Sequence, residues 1–88
     1  MSKSILEEAQ ELVYGDRAAQ YGPWSKNANL AAEIAEKLVG RGLDARDITM
    51  VLISLKFARE FTNHKRDNLV DICGYLELYN QLCEGEND

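Results

Sequence analysis

Apolar side chains recur every three or four residues along almost the whole of this chain, and nowhere do they alternate over the length of a strand. That period belongs to helices, and the chain is expected to be built from them alone. Ile5, Leu6, Ala9, Leu12 and Val13 predict a helix over 4–13, opened by Ser4 and Glu7 at the spacing of a capping box. Leu30, Ala31, Ile34, Ala35, Leu38 and Val39 predict a second over 25–40, ending at Gly40, a residue suited to the left-handed position past a helix end. Asp44 is placed to cap a third over 45–62, with Asp47 favourable in its first turn. Ile48, Val51, Leu52, Leu55, Phe57, Ala58 and Phe61 give that helix the broadest apolar stripe, as expected of the most buried member of a bundle. Leu69, Ile72, Cys73, Leu76, Tyr79 and Leu82 predict the last, over 67–83. Between the first two helices, residues 14–24 hold two Tyr-Gly pairs and the only proline, and are predicted as a connection. Its aromatics either cover one end of the core or face a ligand. Short connections favour antiparallel neighbours, so the fold expected is all-α: a compact antiparallel bundle of about four helices.

With 88 residues the chain has room for one domain, expected over 1–83, followed by a flexible acidic tail over 84–88. A chain of this length buries only about 60–65% of its unfolded surface, which favours association into a homodimer or homotetramer. The net charge of −5 argues against duplex nucleic acid as a partner, because that affinity comes from Lys and Arg on phosphates. Without the three tail acids the body keeps 10 basic against 12 acidic residues, so a local basic cluster for a small anion remains open. The two cysteines, Cys73 and Cys83, lie ten residues apart on one predicted helix, roughly 15 Å along its axis, beyond the reach of a disulfide. Each is expected to be a small buried hydrophobe. No leader-like or membrane-spanning apolar run is present, which points to the cytoplasm and away from a membrane.

Polar residues concentrate where the third predicted helix gives way to the fourth. Asp67 and Asp71, four apart, share one helix face, and Asn68 beside them adds a neutral oxygen. Asp67 suits the positive end of the helix dipole, but Asp71 lies past the first turn, where that effect fades. Hard cations such as Mg²⁺ take such oxygens, commonly one or two carboxylates together with substrate phosphates. Lys56 and Arg59, three apart on an otherwise apolar helix, either pair with those aspartates or reach phosphates. Glu33 and Glu36 form an ExxE pair, common on solvated helices, with Lys37 four residues after Glu33. His64, the only histidine, sits in the polar turn before the last helix. Gly74 lies inside that helix, where it costs about 1 kcal/mol against alanine unless a close neighbour requires it.

The string Arg17-x-x-x-Tyr21-Gly22, Asn27, Lys56-x-x-Arg59 and Lys65-x-Asp67-Asn68-x-x-Asp71-x-x-Gly74-Tyr75 resembles a family of small phage and prophage proteins of unassigned activity. That family is in turn distantly similar to the all-α nucleoside triphosphate pyrophosphohydrolases, the MazG and dimeric dUTPase group. The resemblance implies a MazG-like bundle, Mg²⁺ or Mn²⁺ as cofactor, a small-molecule nucleotide as partner, and the host cytoplasm as location for a phage-encoded protein. It implies that Glu33, Glu36, Asp67 and Asp71 hold metal, with Asn68 standing where the hydrolases carry the glutamate of an ExxD motif. Asp67, Asp71 and Lys56 are then the candidate catalytic groups, and Arg17, Tyr21, Asn27, Arg59, Asn68 and Tyr75 the candidate substrate contacts. Two other readings share this scaffold: a nucleotide-binding protein that does not cleave, and a small helical interaction module.

Overall fold

The computed structural model describes residues 3–15 and 24–85. They form four helices: α1 (Ile5–Tyr14), α2 (Trp24–Val39), α3 (Ala45–Thr62) and α4 (Arg66–Glu84). Arg17 and Tyr21, and most of the connection predicted around them, lie outside the described residues. The helix starts follow their local chemistry. At α1, Ser4 Oγ accepts from the Glu7 N–H while the Glu7 carboxylate accepts from the Ser4 N–H; Asp44 and Asp47 do the same for α3. Gly40 takes the positive φ of 82° that ends α2, and Gly85, at 73°, ends α4 one residue beyond the predicted tail boundary.

α4 is the hub. It packs against α3 on one side and α1 on the other, and α2 packs against α3. α3 and α4 are antiparallel: Arg46 lies beside Cys83, Lys56 beside Asp71, and Glu60 beside Asn68. α1, which does not adjoin α4 in sequence, runs alongside it in the same direction, with Arg66 on Glu8 and Tyr14 on Glu77 and Gln81. Gly74 faces α1. A Cβ there would sit 3.6 Å from Val13 Cγ2, an ordinary contact.

The covered faces are not the ones with the largest apolar residues. On α3 the inward line is Ala45, Thr49, Ile53, Lys56 and Glu60, each three or four residues after the last. Val51, Leu55, Phe57 and Phe61 stay exposed, so α3 is not the most buried helix; α4, enclosed on two sides, is. On α2 the buried residues are Ser25, Ala28 and Ala32, and the predicted face of Leu30, Ile34 and Leu38 is open. Small side chains let helix backbones approach closely, which explains why these lines turn inward. Both cysteines are free thiols; Cys73 is half-buried as a core residue would be, but Cys83 is exposed. Among the described residues no helix is long and apolar enough to cross a membrane.

Candidate functional site

The seam between α3 and α4 gathers polar side chains from both inward lines. Lys56 Nζ lies 2.8 Å from Asp71 Oδ2, with the two side chains only 18% and 30% exposed. At that degree of cover the pair is shielded more than a surface ion pair and holds the two helices in register. One turn towards the hairpin, Glu60 Oε1 accepts from Asn68 Nδ2 at 3.2 Å and from the Lys65 N–H at 3.1 Å, while its other oxygen meets the His64 ring. α4 has no side-chain cap of its own, so Glu60 takes up the backbone N–H of Lys65, the residue just before it. The His64 contact, supported by Asn68 and the Lys65 N–H, holds the Glu60 carboxyl below the ordinary glutamate range against a smaller opposing effect of desolvation.

One turn the other way along α4, Tyr75 meets Trp24 of α2, ring centroids 5.7 Å apart and tilted by 52°. The Trp24 indole N–H donates to Thr49 Oγ1 at 2.9 Å, and the Thr49 hydroxyl donates to the Ala45 carbonyl at 2.8 Å. The tryptophan therefore begins α2 and closes the three-helix contact.

Of the residues singled out in the sequence, Lys56, Asn68, Asp71 and Tyr75 thus come together along one seam. Arg59 and Asp67 lie at its hairpin end with exposed side chains. Asn27 and Glu33 are exposed on α2 and Glu36 is half-buried there. Among the described residues, no group of three or more His, Cys, Asp or Glu side chains is arranged to hold a metal ion, so Glu33, Glu36, Asp67 and Asp71 do not form one cage within a single chain.

Sequence reasoning passed over Glu60 and Thr49, whereas Trp24, read as covering the core or facing a ligand, packs on Tyr75. Glu60 was signalled by its i, i+4 spacing to His64 and Thr49 by its place four residues after Ala45. On the opposite side of α4, an apolar groove of about 490 Å³ opens against α1, lined by Leu6, Ala9, Val13, Tyr14, Cys73 and Gly74 among others. It contains none of the predicted site residues.

The chain is similar to the Gene 55 protein of Mycobacterium phage D29, 34% identical over 91 residues that cover 98% of this chain and 60% of that protein. It is also similar to the Gene 55 protein of Mycobacterium phage L5, 38% identical over 84 residues, 90% of this chain and 52% of that protein. The chain thus spans a little over half the length of these curated relatives. No solved structure matches it. The family model of a domain of unknown function, DUF6378, matches residues 4–83, which takes in all four helices but for one residue, and the chain belongs to that family.

Proposed function

We propose that this protein binds the phosphates of a nucleotide, together with a divalent cation, at the α3–α4 seam. The observation that carries the reading is the Lys56–Asp71 pair: a cation and an anion 2.8 Å apart, mostly covered, on the inward lines of two helices. The ammonium is placed to exchange its carboxylate partner for a phosphate, and the carboxylate to exchange its ammonium for Mg²⁺ or Mn²⁺. Arg59 at the hairpin end adds a second cation for phosphate, and Asp67 a second carboxylate for metal. Asn68 and Tyr75 flank the pair. A bound divalent ion would neutralise phosphate charge there and lower the pKa of a coordinated water.

From the sequence resemblance to the MazG group we further propose pyrophosphohydrolysis of a nucleoside triphosphate, performed in the host cytoplasm by a homodimer or homotetramer. The test is release of pyrophosphate from a panel of nucleoside triphosphates with Mg²⁺ or Mn²⁺. Release by the wild type and its loss in Asp71→Asn with the helical content unchanged supports hydrolysis. Saturable binding with no release leaves a binding protein. Equal activity in both forms removes Asp71 from the reaction.

A second reading, a helical interaction module, is favoured by a different observation: the large exposed apolar side chains of α2 and α3. A thermal-shift screen separates the two, since a ligand of the native state raises the melting temperature by mass action and a flat response favours the module.

A further inference from the structure

We propose that the outward faces of α2 and α3 bury against the same faces of a second copy of this chain, giving a symmetric dimer. α2 turns its small residues in and its large ones out. Leu30, Ile34 and Leu38, successive turns of one stripe, lie opposite buried Ser25, Ala28 and Ala32, and Leu38 is 82% exposed. α3 repeats the inversion, with Met50, Val51, Leu55, Phe57 and Phe61 all open and Phe61 86% exposed. The eight residues 48–55 of α3 contain no charged side chain. A surface helix carries charges on its outer face, and this stretch of α3 has none to offer there.

Area points to the kind of occupant. Monomeric proteins rarely expose apolar patches beyond a few hundred Å². These eight large side chains, between 42% and 86% exposed, supply an amount on the order of the ~800 Å² that each partner of a stable interface covers. Charge points to a second copy. The exposed charges of the same helices are Lys26, Glu33 and Lys37 on α2 and Arg46, Asp47 and Arg59 on α3, both signs on each helix. A two-fold axis sets such a surface against itself and lets each sign meet its opposite, whereas a partner of one dominant charge finds no matching field. This inference rests on the homodimer expected above and locates its interface, without using Lys56 or Asp71.

Sedimentation velocity over a concentration series tests it, on the wild type, Leu38→Glu, Phe61→Glu and, as a control elsewhere on the surface, Leu6→Glu. The wild type and Leu6→Glu are expected at twice the chain mass of 9.9 kDa. Leu38→Glu and Phe61→Glu are each expected to weaken association at least ~30-fold with helical circular dichroism retained. A wild type that stays monomeric overturns both the dimer and its interface, and means the apolar faces serve another occupant. A dimer that persists undiminished in both variants overturns the interface while the dimer stands. Should either glutamate variant unfold, Leu38→Gln and Phe61→Gln repeat the comparison with a milder change.

Discussion

The two sides of α3 show what decides direction in a small helical bundle. Its inward line is Ala45, Thr49, Ile53, Lys56 and Glu60, two of the five charged, and every one is at least half-buried. Its outward side carries Met50, Val51, Leu55, Phe57 and Phe61 and is open. A small residue permits close approach, and a polar residue can be buried when the facing helix offers a partner. Lys56 has Asp71, Glu60 has Asn68 and the Lys65 N–H, and Thr49 has Trp24. The large apolar residues stay available for another surface.

This contrast is broken most strongly in the buried core. Ile72, 6% exposed on α4, should cost about 2–5 kcal/mol when cut to alanine. Leu38→Ala, measured by urea denaturation at a dilution where the chain is monomeric, should change stability by less than about 0.5 kcal/mol. Comparable losses at the two positions would mean that the outward face is covered within a single chain.

The next effect belongs to the seam. Lys56→Met and Asp71→Asn should each cost about 1–3 kcal/mol, because each leaves the other's polar group half-buried without its partner. The double variant should recover roughly 1 kcal/mol of the summed loss. Strict additivity in the same denaturation experiment would show that the pair does nothing for the fold.

Much of the fold was legible before the structure. Caps at Ser4–Glu7 and Asp44–Asp47 and the turn at Gly40 depend on neighbours within four residues, and each forms as its local chemistry dictates. The juxtaposition of Lys56 with Asp71 was legible too, because a short turn between two long helices brings residues on either side of it face to face. Which face of α2 and α3 turns inward was not legible. A helix apolar on several sides gives no direction by periodicity, and the largest stripe, Leu30-Ile34-Leu38, is the one left outside. Glu60 was passed over for a related reason: its spacing marks His64 four residues on, but not that the Lys65 N–H and Asn68 converge on the same carboxylate.

Smaller effects sharpen the picture on the α1 side and at the hairpin. Gly74→Ala should stabilise by up to about 1 kcal/mol, since the helix gains propensity and the added carbon meets Val13 at an ordinary 3.6 Å. A loss of melting temperature would mean that α1 and α4 must approach more closely than that. At Glu60 the folded state holds the carboxyl below its ordinary range, chiefly through His64. Its contribution is therefore complete above the ordinary glutamate pKa of about 4.3 and is lost as the pH falls through the lower folded value. Glu60→Gln should flatten that part of the acid limb of a stability–pH curve. An unchanged acid limb would remove Glu60 from the hairpin's pH dependence.

The nucleotide reading is tested most directly by calorimetric titration of Mg²⁺-nucleoside triphosphates into the wild type and into Lys56→Met, both confirmed helical. Saturable binding by the wild type, weakened at least ~10-fold in the variant, is the predicted result. An absence of binding heat with every triphosphate, or equal affinity in the two proteins, contradicts phosphate recognition at the seam.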